Sequence, residues 1–421
     1  MIQVITIDGN AVNLRVPIKM WVSDLEESAL SQAINLARLP FAFSHVALMP
    51  DCHAGYGMPI GGVLATTDVI IPNAVGVDIG CGMRVAKTNI RVEELTVELR
   101  KKIMAGIREL IPLGTNHHSK MQDYPQVLVA PSEKFEVVRM TYATLPYQIG
   151  TLGGGNHFIE LQADEEGFVY VMIHSGSRNL GKRVGDHYNR KATELNAKWH
   201  SSVTREVDLA FLPFNTPEGD SYYSEMRYCV DFARYSRKMM VERALSAIAD
   251  VLPKMELIQI HGSGTSILDV PHNYADVEHH FGRNVMVHRK GATKAATGEY
   301  GIIPGSQGTS SYIVVGKGEM MSFHSCSHGA GRKMGRNDAR RTLDLQTEID
   351  RLDSQGIVHS VRHQADLDEA AGAYKDIDVV MANQADLVEI AVKLRPLAVI
   401  KAEETPRKKR KDKSNEIKEA E

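Results

Sequence analysis

Apolar and polar positions change rhythm several times along this chain, and each change marks an element. From Ser23 the spacing of Leu30, Ile34 and Ala37 on one face predicts a helix that Pro40 stops, with Ser23 and Glu26 spaced as a capping box. A second helix is expected from about Glu93 to Leu110, and a long one from Tyr222 to about Ala249. Residues 45–88 read differently: short apolar runs end in Gly- and Pro-rich turns, the pattern of buried strands that deliver loops to a common place. That texture returns at 150–181 and again at 284–332. The apolar run LRPLAVIK, ending at Lys401, is the last expected ordered element. Beyond it, residues 402–421 are almost wholly polar and carry the basic run PRKKRK, so a solvated, disordered tail is expected. With no internal repeat and no linker signal, residues 1–401 read as one intertwined α+β unit.

Composition narrows the picture. With 421 residues, 43% of them apolar, the chain can bury a large core. The net charge of −3 offers no whole-chain attraction for nucleic acid, so any such affinity must be local. Four cysteines without CxxC spacing, and a first segment MIQVITIDGN unlike a secretory signal, point to a reducing cytoplasm. No apolar run is long enough for a membrane helix.

The chemistry-bearing residues stand in the glycine-rich turns. The sequence has no GxxxxGK[ST] loop, no HExxH pair and no strict GxGxxG. Instead Asp78 and Cys81 lie three residues apart in AVGVDIGCGM, where they can face one metal or let the thiolate bridge two. His157, His174 and His272 sit beside similar turns, whereas His117, His118, His200, His279 and His280 fall among charged neighbours and read as surface. A thiolate with imidazoles and one carboxylate favours zinc first and manganese second. His328, in SFHSCSHGAGR, has small neighbours and a following Arg332 that can steady phosphate oxygens. It can act as a nucleophile towards phosphorus or as a fourth ligand, roles for which His324 and Cys326 compete. HRKGAT and IIPGSQGTSS offer backbone donors, and Arg289 and Lys290 offer charge, for an anion.

Taken in order, MPDCHAGYGMPIGGV, AVGVDIGCGM, GTLGGGNHFIE, HSGSRNLG, PHNY, RKGAT, GIIPGS, SCSHGAGR and AYKDIDVVM closely resemble the RtcB family of tRNA-splicing and RNA-repair ligases, from about Pro17 to Lys401. The resemblance implies an α+β fold with mixed and antiparallel sheets around a central metal cleft and helices at the periphery. It implies two manganese ions on Asp78, Cys81, His157, His174 and His272, with Cys81 as the bridge, and a GTP-accepting nucleophile at His328. Guanosine contacts then fall on Asn156, His157, Phe158, Ile159, Glu160, His272 and Asn273, and on Pro304, Gly305, Ser306, Gln307 and Ser311. The loop His328, Gly329, Ala330, Gly331, with Tyr374 and Lys401, completes that set. The implied reaction joins an RNA 3′-phosphate or 2′,3′-cyclic phosphate to a 5′-hydroxyl through a guanylyl-histidine and an RNA 3′-guanylate, with an archease-type activator as a conceivable partner. The competing reading is a dinuclear metallophosphoesterase that needs no reactive histidine. A non-catalytic RNA- or metal-binding accessory protein is the third.

Overall fold

A computed structural model describes residues 14–125, 128 and 131–402. The expected polar tail falls, apart from Ala402, outside the described residues, as does the start MIQVITIDGN. Two large sheets carry the molecule. One has seven strands in the order Tyr300–Ile303, Ser311–Gly316, Val388–Ile400, Phe158–Ala163, Phe168–Ser175, Gly82–Arg91 and Ile267–Pro271, with every neighbouring pair antiparallel. The other has five, in the order Ile18–Met20, Ala42–His53, Ile60–Thr66, Arg283–Lys290 and Asn273–His280, and only its first pair is parallel. The mixed α+β class expected from the sequence is the observed one.

Both faces of the seven-stranded sheet are covered, which explains why FVYVMIH is apolar throughout instead of alternating. Val169, Val171 and Ile173 pack with Ile103, Ile107, Met240, Ala244 and Ile248 from the helices Val97–Leu110 and Pro217–Ala249. Tyr170 and Met172 point the other way, into a cluster with Met83, Ile302 and Ile313. The long helix begins at Pro217, before the expected Tyr222, because Thr216 caps it: its hydroxyl accepts from Gly219 N at 3.2 Å, and Pro217 needs no donor there. The first helix spans Glu27–Ala37 and lacks the expected capping box. Glu26 instead accepts from the Ala54 backbone N–H, and Ser23 Oγ accepts from Asn383 Nδ2 at 3.0 Å. Both side chains are thus spent on long-range ties.

The antiparallel order brings four chain points to one edge of the seven-stranded sheet. Gly82 pairs with Ser175 and with Pro271, and Phe158 pairs with His174. His272 lies between Ile267–Pro271 of one sheet and Asn273–His280 of the other, so the two sheets meet at a histidine.

Candidate functional site

The turn leading into Gly82–Arg91 is held by backbone hydrogen bonds, one within it and two to the His272–Asn273 segment. Cys81 N donates to Asp78 O at 3.1 Å, Gly80 N to Asn273 O at 2.8 Å, and His272 N to Cys81 O at 2.8 Å. Arg237, fully buried on the long helix, holds the same corner. It donates to Gly80 O and Ser175 O at 2.9 Å each, while pairing with both Asp269 carboxylate oxygens at 2.7 and 3.0 Å. Four rigid segments therefore aim their side chains at one point.

Those side chains are the five expected ligands. Cys81 Sγ lies 3.2 Å from His174 Nε2 and 3.4 Å from His157 Nε2. His174 Nε2 is 3.3 Å from His272 Nε2, and His157 Nε2 is 3.1 Å from Asp78 Oδ2. They form two three-membered sets, Cys81–His174–His272 and Asp78–Cys81–His157, that share the sulfur. The donor set fits a pair of cations. His174 Nδ1 faces Asn156 O at 3.0 Å, so the ring proton belongs there and Nε2 turns a lone pair towards a sulfur and a second imidazole nitrogen. Burial, reinforced by neighbouring imidazoles, holds His174 and His272 well below the ordinary histidine value, in the neutral form a metal requires. Burial disfavours ionised Asp78, yet the adjacent His157 outweighs it and brings the carboxyl down to about 2. Burial, with Asp78 beside it, pushes the Cys81 thiol well up, so a thiolate here needs a bound cation.

His328 stands against this cluster, its ring 4.8 Å from that of His272. Its Nδ1–H donates to Asp51 Oδ2 at 2.6 Å, and the backbone N–H groups of His328 and Gly329 donate to the same oxygen at 3.0 and 3.3 Å. Asp51 is fully buried within the strand Ala42–His53. With Nδ1 so engaged, Nε2 is the free nitrogen. Gly291 leaves room for the ring: it has φ +61°, and a Cβ there would lie 2.9 Å from His328 Cε1.

A cleft of about 710 Å³ joins the ligand cluster, His328 and a polar pocket. Asn156, Phe158, Glu160 and Asn273 line it, as do Pro304, Gly305, Ser306 and Gln307. Gly329, Ala330, Gly331, Tyr374 and Lys401 form the rest of the expected wall. Two expected residues are placed otherwise. The Ile159 side chain is buried in the core beneath the sheet, and the Ser311 hydroxyl bonds Gly305 N at 3.2 Å and Gln162 Nε2 at 3.0 Å from behind the wall. At the far end Glu369 accepts from Arg336 Nε at 2.9 Å, from Arg332 at 3.2 Å and from the Tyr374 hydroxyl. Burial opposes its charge, but Lys401 and these arginines hold Glu369 below the usual carboxyl range. Glu160 nearby is pushed up to about 8 by burial.

The sequence reading misplaces several groups and overlooks others. Arg332 is not free to steady phosphates, since Glu369, Asp368 O and Met334 O take its nitrogens. Arg289 is fully buried and forks onto Glu278 at 2.5 and 3.0 Å. His280 is not a surface residue: it is buried, bonds Glu278 at 3.0 Å and packs its ring against Phe323 and His324. His324 thus belongs to that separate cluster, and the Cys326 thiol faces Ser327 O. Lys290 does reach the cleft, where its Nζ donates to Tyr56 O at 2.6 Å and Asn73 O at 3.1 Å and burial lowers it to about 7. Asp51 and Glu369 went unremarked. A lone acid inside the apolar run HVALMPDCH was the available signal for the first, whereas Glu369, in DLDEAAGAY, carries none.

A protein-family model described as "tRNA-splicing ligase RtcB" matches residues 32–144 and 126–402. The chain is 37% identical over 403 residues to "RNA-splicing ligase RtcB" of Escherichia coli (strain K12), covering 91% of this chain and 97% of that one. It is 33% identical over 462 residues to "RNA-splicing ligase RtcB homolog 1" of Entamoeba dispar, covering 90% and 83% of the two chains. Identity to "tRNA-splicing ligase RtcB" of Nanoarchaeum equitans is 32% over 464 residues, covering 92% and 96% of the two chains.

Proposed function

The chain belongs to the RtcB family, and from that premise we propose that it is an RNA ligase that seals a 3′-phosphate or 2′,3′-cyclic phosphate end to a 5′-hydroxyl end, using GTP and two manganese ions. The observation that carries this reading is the pairing, in one cleft, of a histidine aimed by a buried acid with a two-set ligand cluster on a single sulfur. His328 Nε2 attacks the α-phosphorus of GTP; a P–N bond forms, the bond to the bridging oxygen breaks, and pyrophosphate leaves. Asp51 keeps the Nδ1 proton in place, so the attacking nitrogen presents its lone pair throughout. The guanylyl group then passes to the RNA 3′-phosphate, itself the product of opening a cyclic end, and attack by the 5′-hydroxyl releases GMP. Manganese, when bound by Asp78, Cys81, His157, His174 and His272, neutralises phosphate charge during these displacements. Glu160, Lys401 and Tyr374 enclose the guanine, while Asn156, Phe158, Asn273 and the 304–307 and 328–331 loops border the rest of the nucleotide. Ser311 acts on that wall indirectly, by fixing Gly305.

Four free, buried cysteines suit a reducing cytoplasm. Among the described residues no helix is long and apolar enough to cross a membrane.

The test is incubation of the protein with Mn²⁺ and GTP labelled at the α-phosphate. Acid-labile, alkali-stable label should appear on the wild type and vanish in His328→Ala, together with RNA joining. Phosphate-ester hydrolysis with no labelled protein would replace this reading with the esterase one, in which the His328–Asp51 couple has no task.

A further inference from the structure

Tyr56 is the most exposed large apolar side chain among the described residues, at 78%, yet it lies on the wall of the cleft. An exposed aromatic ring on the wall of the cleft offers apolar surface that a ligand entering the cleft can cover. The loop beneath it is not loose. Ala54 N is bound by Glu26; Gly55 donates to Gln32 Oε1 at 3.1 Å and accepts from its Nε2 at 2.5 Å; Tyr56 O accepts from Lys290 and from Met58 N at 2.7 Å.

The neighbours of Tyr56 leave its ring bare. Gly55 and Gly57 flank it, and neither tolerates a side chain: a Cβ on Gly55 would lie 2.7 Å from Met58 O, and Gly57 has φ +66° with Asp208 O against the same position. Among the described residues no ring contact or hydrogen bond engages the phenol. The backbone is therefore fixed, the ring is largely exposed, and only two side-chain torsions remain to be ordered by a ligand. Every nucleobase has a flat face to offer such a ring, and single-stranded RNA ends are commonly held in this way.

We propose that Tyr56 is a stacking platform for the base of an RNA end nucleotide, holding that end over the cleft while His328 and the metal-ligand cluster act on it. This assignment rests on the ligase reading above and adds a specificity-determining residue to it. A terminal nucleotide without a base, or one already paired in a duplex, gains nothing from the ring, so the enzyme should favour unpaired ends with intact bases.

The experiment uses the full chain with Mn²⁺ and GTP, and RNA strands carrying 2-aminopurine at the terminal nucleotide of either the 3′-phosphate or the 5′-hydroxyl strand. Binding to the wild type should quench one of the two probes and so identify the stacked end. Tyr56→Ala should abolish that quench and raise KM for RNA about tenfold, with kcat and GTP labelling of His328 kept; Tyr56→Phe and Tyr56→Trp should behave as wild type. Tyr56→Ala with unchanged KM and an unchanged probe signal would overturn the proposal. So would a raised KM with the quench intact, or a loss of GTP labelling in step with joining. If instead the wild type labels itself but joins no RNA, the ligase reading fails, and the probe titration still decides on stacking.

Discussion

The two nitrogens of His328 stand in different surroundings, and Asp51 sets the difference. Its Oδ2 collects the imidazole proton and two backbone N–H groups, so turning the ring breaks its bond to a carboxylate that the backbone holds in place. Asp51→Asn keeps the shape and can still accept these three hydrogen bonds through its amide oxygen, but it lacks the negative charge that stabilises the cationic ring formed when Nε2 bonds phosphorus. The GTP-labelling rate of this variant should fall about a hundredfold or more, with the far-ultraviolet spectrum and melting temperature close to wild type. An unchanged labelling rate would remove Asp51 from the mechanism. At this scale much of the site was legible: thiol, imidazoles and carboxyl in glycine turns announce chemistry through their own types. Asp51 was not, because its significance lies in a partner 277 positions away. Arg332 and Arg289 misled for the same reason, as their charge is neutralised by Glu369 and Glu278, residues that no local pattern links to them.

Among the elements, the strand Arg283–Lys290 shows how burial makes pH a variable of stability. His288 is enclosed there, with Nδ1–H donating to Leu64 O at 3.2 Å and Nε2 accepting from Ile71 N at 3.0 Å. Burial lowers it from 6.5 to about 4, and it lowers His45 to about 4 as well. Between those values the unfolded chain takes up protons that the folded one refuses, so stability is full above about 6.5 and drains away as pH falls towards 4. Each such histidine accounts for up to about 3 kcal/mol. Calorimetry across this range should show Tm falling with pH, and His288→Gln should give a shallower slope than wild type; parallel slopes would show that His288 contributes nothing. Periodicity located the helices because their apolar faces repeat locally, but it misjudged their starts. Glu26 has the spacing of a capping residue and is instead claimed by the Ala54 N–H, a tertiary contact outranking a local one.

For the molecule as a whole, metal and fold should be coupled, since the five candidate ligands come from four separate segments drawn together at one end of the seven-stranded sheet. A cation that binds only the assembled cluster adds about 2.7 kcal/mol at a hundredfold excess over its Kd. Wild-type Tm should therefore rise on adding Mn²⁺ and fall back with chelator, whereas Cys81→Ser, having lost the shared sulfur, should respond weakly. An equal rise in the variant would mean that the ion binds elsewhere. The α+β class could be read from the alternation of helix-like and strand-like rhythm, and the ordered motifs resembled a known family. Strand order could not be read, because nothing in LRPLAVIK says which strands it will separate. Val388–Ile400 lies inside the seven-stranded sheet, between Ser311–Gly316 and Phe158–Ala163. A ribosome delivers that piece after nearly all the others, so the nascent chain waits with two incomplete half-sheets and bare edges that invite rescue by chaperones. Neither the wall of the cleft nor the core behind it can close before Lys401 arrives, so the site is the last thing that synthesis of the two sheets completes.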